Sequence, residues 1–403
     1  MMRKRYKWSS IFVVVTILLG VVIVIGYSLN KPKPVMIEKL HENKGPLIQK
    51  VNGPNGTRDQ LGLDSSDQHE KVITDFIGNE LKQNHFIGTA LIVKNGKVIF
   101  QKGYGYADKL NNRKNSASSL YQIASVQKGA TGVMLMKLVQ AGKISLNDKL
   151  AKYYPNIGYS SLVTLRQMLN MISGISLKKM PQKAMSEKQL VKYIADNVQV
   201  TPKHIGQQFY EPANFVLLAG IIQQVTQKSY YANFKQFIQK PLGLKNTYDF
   251  NEYNKVVSGR TVAYSSTNTR DYKVPVIEEE YQYTNELGTG NFYMTNGDLY
   301  KMLRSFITGG ILNAKSTAAL FTVFPPRNTY SSGLYHVKYM QPFKDAGIYD
   351  GYHFHGAEYG YETIGDISVD GKQAVILQTN NPNTSSPFNI GLDSKLYHFL
   401  ITH

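Results

Sequence analysis

Residues 120–136 read LYQIASVQKGATGVMLM. Ser125 stands three residues before Lys128, between an apolar lead-in and a run from Val126 to Val139 that suits a helix. In that run Val133, Leu135, Met136 and Leu138 are available for burial. If Ser125 opens the helix, Lys128 lies one turn on and on the same face. Two readings of the pair stay open on spacing alone. In one, Ser125 caps the helix and Lys128 is a solvated surface cation. In the other, the positive end of the helix and burial together ease a proton off Lys128, which then serves as base for a nucleophilic Ser125. The first amides of the helix would there face a developing oxyanion. A second Ser-x-x-Lys, Ser176 to Lys179, falls in a stretch punctuated by Gly174 and Pro181, with no helix to hold the two side chains together.

Outward from this stretch the chain alternates strand and helix signals. GTALIVKNGKVIFQKGYGYAD (88–108) places two apolar runs around Asn95-Gly96, a strong hairpin signal. TIGDISVDGKQAVILQTN (363–380) repeats the pattern around Asp370-Gly371. Before the first hairpin, Val72, Ile73, Phe76, Ile77 and Leu81 recur at helical spacing, and a helix from about Asp393 to Ile401 closes the chain. The pattern predicts an α/β fold of the α+β type: a mixed sheet made by the two ends, flanked by helices, with a mostly helical region inserted over roughly 145–285.

The N-terminus carries a different signal. Arg3, Lys4, Arg5 and Lys7 precede an almost unbroken apolar run from Ile11 to Ile25. We read residues 1–8 as a cytoplasmic basic flank and 9–27 as a single transmembrane helix, which sends the rest of the chain outside the cell membrane. Cleavage near Ser28 is the alternative, although no small-x-small pair marks a cleavage site there. Residues 28–68, with Pro32, Pro34, Pro46 and Pro54, read as an extracellular stalk, and 69–403 as one catalytic domain.

Composition narrows the chemistry. The chain has no cysteine, which excludes disulfides, thiolate catalysis and cysteine metal sites. Its nine histidines show no His-Glu-x-x-His or similar spacing, so neither a metal nor another cofactor is expected. A formal net charge of +18 favours polyanionic partners. Outside a membrane these are anionic lipid headgroups and phosphate-rich wall polymers rather than nucleic acid, or the charge is a solvated surface with no specific ligand.

Several segments share a further property. LIVKNGKVIFQKGYGYAD (91–108), LYQIASVQK (120–128), ISLNDKLAKYYP (144–155), VTLRQMLNMISGI (163–175), FYEPANFVLLAGIIQQVT (209–226), FIQKPLGLKNT (237–247) and GTGNFYMTNGDLYKML (288–303) occur in this order. Together they resemble the serine β-lactamase and penicillin-binding-protein-like family, in its esterase-rich branch similar to class C β-lactamases. The resemblance covers about three quarters of the chain and implies that Ser125 is acylated with Lys128 as its base. The family's Tyr-x-Asn motif matches Tyr210-Glu211-Pro212, which implies that Tyr210 shares the proton work. Its third motif, Lys-Thr-Gly or His-x-Gly, matches His355-Gly356-Ala357 within HFHGAEYGYET (353–363). By the same resemblance this strand edge lines the site, and an amide near Ala357 or Glu358 completes an oxyanion hole with that of Ser125.

Two departures bear on substrate. Pro212 replaces an asparagine that in the family holds the amide of an N-acylated substrate, and a proline side chain neither donates nor accepts a hydrogen bond. His355 and Gly356 replace the Lys-Thr pair that holds a substrate carboxylate. Both changes suit a small aminoacyl ester with a free ammonium, for which Glu211 and Glu358 are candidate partners, unless they are solvated surface acids. The chain also resembles the family's teichoic acid D-alanine esterases. The expectation is therefore D-alanyl ester hydrolysis on teichoic acid, with the anchor favouring lipoteichoic acid. A D-Ala-D-Ala carboxypeptidase of the penicillin-binding kind and a non-catalytic teichoic-acid binder are the alternatives.

Overall fold

The computed structural model describes residues 60–61 and 68–403, apart from 257, 266–271, 278, 349 and 383–390. The residues read as a basic flank (1–8) and a membrane helix (9–27), and those read as a stalk (28–68) apart from Gln60, Leu61 and Gln68, lie outside the described residues. Among the described residues, no helix is long and apolar enough to cross a membrane.

Both Gly-containing turns form as read. Strands β2 (Gly88–Lys94) and β3 (Lys97–Tyr104) flank Asn95 and Gly96, whose φ values of +52° and +76° are those of a two-residue hairpin turn. β7 (Tyr361–Ile367) and β8 (Ala374–Thr379) flank Gly371. With β1 (Gln60–Leu61), β4 (Tyr330–Ser331), β5 (Leu334–His336) and β6 (Tyr352–Glu358) they make one sheet in the order β1-β3-β2-β8-β7-β6-β5-β4. The two ends of the chain meet where β2 pairs with β8, and every pairing in this sheet is antiparallel. Gln60 and Leu61, read as stalk, pair with Lys102 and Gln101.

Alternation along β2 explains the layers. Ala90 and Ile92 face a core shared with helix α1 (Gln68–Gln83) and the last helix (Leu392–Thr402). Leu91 and Val93 face the larger core, with Val133, Phe215 and Leu299 from helices α2 (Gln127–Gln140), α3 (Ala213–Thr226) and α4 (Asn296–Ile307). A strand buried on both faces reads as a continuous apolar run, as LIV does here. The helical body is larger than the inserted region expected at 145–285. The chain leaves the main sheet after Tyr104 and returns at Tyr330, so α2 belongs to the insertion.

Candidate active site

Ser125 sits on a 3-10 turn, Ala124–Val126, that leads directly into α2. Ala124 has φ +43°, in the left-handed region that a β-carbon disfavours, so the turn is held by its surroundings and not by local preference. Lys128, the second residue of α2, is 1% exposed. Its Nζ donates to Ser125 Oγ at 2.9 Å and to the Thr289 carbonyl at 3.2 Å. Burial pushes the Lys128 amine down to about 8, against the opposing pull of Glu286, Glu358 and Glu211. An ammonium so weakened yields a neutral amine near neutrality, within reach of the serine proton. Ser176, by contrast, lies on a short strand paired with Gln199.

Tyr210 completes a triad of polar groups. Its hydroxyl hydrogen-bonds the Ser125 side chain, and Lys128 Nζ lies 5.3 Å from its ring centroid. The residue is 43% exposed overall, but its hydroxyl is enclosed, and burial raises its pKa. Such a phenol stays protonated and can hand a proton to a leaving group. The backbone on either side of Tyr210 is tied to Met171: Phe209 N donates to its carbonyl at 2.8 Å and Glu211 N to its Sδ at 3.4 Å.

Glu211 was expected as a substrate-facing carboxylate. Instead one oxygen accepts from Leu177 N at 2.9 Å and the other from Ala213 N at 3.0 Å. It is buried and welds the start of α3 to the neighbouring strand, because a buried carboxylate must find donors. Pro212 starts α3 at a φ of −56°, which its ring favours.

β6 approaches the nucleophile through Gly356. A β-carbon there would fall 2.4 Å from the Ile123 carbonyl and 2.7 Å from the Ser125 nitrogen. Since side chains alternate across a strand, Gly356 and Glu358 face Ser125, while His355 and Ala357 point to the other face. His355 Nε2 lies 3.3 Å from Glu362 there. The His355 side chain, from the sequence a candidate for the substrate or oxyanion site, lies by this one-residue parity on the face of β6 away from Ser125. Backbone direction alternates too. The Gly351 carbonyl accepts from Val337 across β5, so the polar groups of residues 353, 355 and 357 point out of that same edge. The Ala357 amide faces that edge.

The sequence reading missed Glu286. Thr289 Oγ1 donates to Glu286 at 2.6 Å, and the Thr289 carbonyl is the one that Lys128 contacts. Glu358 is pushed up to about 8 by burial and by the charge of Glu286, with Lys128 opposing. Two carboxyl groups thus flank the reactive amine. The usable signal is an acid two residues before GTGNFYMTNGDLYKML (288–303), one of the segments that carry the family resemblance.

Among the described residues, His353, Asp366 and Asp393 form a group whose ligand atoms lie within 4.8 Å of one another. His353 Nδ1 is 2.9 Å from Asp366 and 3.3 Å from Asp393. Burial opposes the imidazolium, yet hydrogen bonds to both carboxylates hold His353 up at about 10. With a protonated ring the group is an ion pair that bolts the last helix to the sheet, on the face away from Ser125.

The sequence model of the beta-lactamase family matches residues 73–393. A relative in Bacillus subtilis (strain 168), named "Putative penicillin-binding protein PbpX", is 28% identical over 326 residues, 80% of this chain and 78% of its own. A "Teichoic acid D-alanine hydrolase" of Staphylococcus aureus (strain MRSA252) is 29% identical over 346 residues, 82% of this chain and 84% of its own. The crystal structure of FmtA from Staphylococcus aureus superposes with a TM-score of 0.70 at 25% identity, covering 86% of this chain and 92% of that one. D-amino acid amidase from Ochrobactrum anthropi SV3 shares the fold, with a TM-score of 0.67 at 20% identity over 83% of this chain and 98% of that one. Family match, fold and the Ser125–Lys128 turn agree: the chain belongs to the beta-lactamase family.

Proposed function

We propose that this protein is a serine hydrolase that removes D-alanyl esters from teichoic acid. The observation that carries the chemistry is the buried Lys128 amine, lowered to about 8, at 2.9 Å from Ser125 Oγ. Lys128 takes the Ser125 proton as Oγ attacks the D-alanyl carbonyl. The amides of Ser125 and Ala357 receive the oxyanion. Tyr210, protonated and bonded to Ser125, passes a proton to the leaving polyol oxygen. Water then attacks the acyl-serine, with Lys128 and Tyr210 exchanging protons in reverse, and D-alanine leaves.

The substrate rests on two supports. One is similarity to a relative named teichoic acid D-alanine hydrolase. The other is local: Pro212 offers no amide partner, and the face of β6 toward Ser125 presents Phe354, Gly356 and Glu358, with no cation to hold a terminal carboxylate. The run at 9–27 would anchor the protein in the cell membrane with its catalytic domain outside, which favours lipoteichoic acid as the polymer within reach. The test is release of free D-alanine from D-alanylated lipoteichoic acid. No release by the wild type, or equal release by Ser125→Ala, would overturn the proposal.

Similarity to a relative named as a penicillin-binding protein favours a second reading, a D-Ala-D-Ala carboxypeptidase. Acylation of Ser125 by a fluorescent penicillin, together with release of terminal D-alanine from a pentapeptide, would support it.

A further inference from the structure

We infer that Glu286 and Glu358 form the receptor for the substrate's α-ammonium. This rests on the ester reading above and assigns the part of the substrate that the site demands.

The geometry comes first. Glu286 is fixed by the Thr289 hydroxyl at 2.6 Å, and the same residue's carbonyl holds Lys128 Nζ at 3.2 Å. Gly290, next in the chain, backs onto Ala124: a β-carbon on it would meet Glu286 Oε2 at 3.2 Å and the Ala124 Cα at 3.3 Å. The Glu286 carboxylate is therefore set beside the nucleophile turn. Glu358 comes from the opposite wall, two residues beyond Gly356 and on the same face of β6. Both acids are partly exposed, so a ligand entering the cleft can reach them. The other ionisable groups facing this space are Tyr210 and Tyr359, whose hydroxyls are raised by burial and by these two acids, together with Lys128; Glu211, held by Leu177 N and Ala213 N, acts on Lys128 by its charge.

Charge balance gives the pair its role. Two carboxylates near one lysine are one negative charge too many, and burial with Glu286 alongside makes Glu358 hold its proton. An incoming ammonium supplies the missing positive charge. Glu358 can then ionise, and its proton goes to solvent. The ionising Glu358 offsets the charge that the ammonium brings, so the net charge beside Lys128 is unchanged and the pair acts on binding. An N-acylated substrate brings no cation and cannot complete the pair. Glu286 and Glu358 thus contact substrate directly.

The experiment uses the full chain in detergent and reads binding separately from turnover. Ser125 is labelled with a neutral fluorophosphonate in the presence of D-alaninamide or N-acetyl-D-alaninamide, and each variant is normalised to its own unprotected rate. The wild type should be protected by D-alaninamide at concentrations about tenfold or more below those needed for the N-acetyl compound, the scale of one charge-assisted contact. Glu358→Gln and Glu286→Gln should each bring that ratio toward one, and Glu358→Asp should restore part of it. Equal protection by the two amides in the wild type overturns the inference. So does a ratio that survives both Gln variants. D-Alanine release from lipoteichoic acid is measured in parallel. Selective protection without release would sink the ester reading and leave the ammonium receptor standing; release without selectivity would do the reverse.

Discussion

Gly356 lies against Ser125 so closely that a β-carbon on it would sit 2.7 Å from the Ser125 amide nitrogen. The strand can come this near only because the residue has no side chain. The contact sets the distance between the strand edge and the nucleophile turn, which is the width of the proposed oxyanion hole. Gly356→Ala must therefore push β6 and the turn apart. Displacing an oxyanion donor by about 1 Å costs on the order of 100-fold in rate. We expect acylation of Ser125 to fall by about that factor, while overpacking costs about 1–3 kcal/mol in thermal unfolding. Wild-type labelling rates in Gly356→Ala would show that the strand edge takes no part.

The state of Lys128 predicts a pH profile. The neutral amine is the base, and burial sets its pKa at about 8. Acylation should accordingly be slow at pH 6, rise roughly tenfold per unit as the ammonium deprotonates, and level off above about 8. Lys128→Arg, whose guanidinium keeps its proton, should abolish the rise and reduce the rate by about 100-fold or more. A rate that is flat between pH 6 and 9 in the wild type would exclude Lys128 as the base.

Tyr210 is assigned the proton that reaches the leaving oxygen. Removing its hydroxyl keeps the ring, its edge contact with Tyr330 at 5.9 Å and its place over Lys128. Tyr210→Phe should therefore fold normally and lose about 100-fold or more in ester turnover. The loss should shrink for esters with good leaving groups, such as a nitrophenyl ester, which need no proton. An equal loss for both kinds of ester would point to positioning rather than proton transfer.

The His353 ion pair predicts an effect on stability that spares the chemistry. Removing a partner from a buried, paired group costs about 3–5 kcal/mol, because the remaining charges stay buried. His353→Gln should lower the melting temperature accordingly, while folded protein still labels at Ser125. The pH dependence has a definite sign. The folded-state value of about 10 lies above the ordinary histidine value of 6.5, so the folded state binds the extra proton. The stabilisation is complete below about 6.5 and is lost as pH rises toward 10. The Asp366 carboxyl is also raised, by burial and then by Asp393, and this adds a loss of the same sign at lower pH. Melts at pH 6, 8 and 10 should show the gap between wild type and His353→Gln closing as pH rises.

What could be read from sequence was what local chemistry decides. Asn95-Gly96 and Asp370-Gly371 named their hairpins because such residues accept the backbone those turns need. The β6–β7 hairpin escaped notice because its turn is Tyr359-Gly360, with φ values of +44° and +80°. A tyrosine does not announce a left-handed residue, and this one is held by its ring contact with Tyr283 and its neighbours in the fold. The nucleophile turn was visible as a helix start, but the strain at Ala124 and the burial of Lys128 depend on Gly290, Gly356 and Thr289, all more than 150 residues away. His355 was misplaced for a related reason. A motif fixes which strand meets the site, but which of two neighbours faces it depends on register, and a one-residue slip exchanges the faces.

That parity makes the last prediction. If β6 meets Ser125 through Gly356, the His355 side chain lies behind the sheet beside Glu362, which is fully buried. His355→Ala should then act on stability rather than on chemistry. Taking a polar partner from a buried carboxylate costs about 1–3 kcal/mol. Ester turnover and the rate of Ser125 labelling should stay within about threefold of wild type, since none of the acylating groups touches the ring. Glu358→Gln, only three residues on but facing the cleft, should show the opposite pattern: turnover of D-alanyl esters reduced about tenfold or more, with a smaller change in melting temperature. A His355→Ala variant that melts like wild type and has lost its turnover would mean that the side chain reaches the cleft after all, and that the faces of β6 are the reverse of those described.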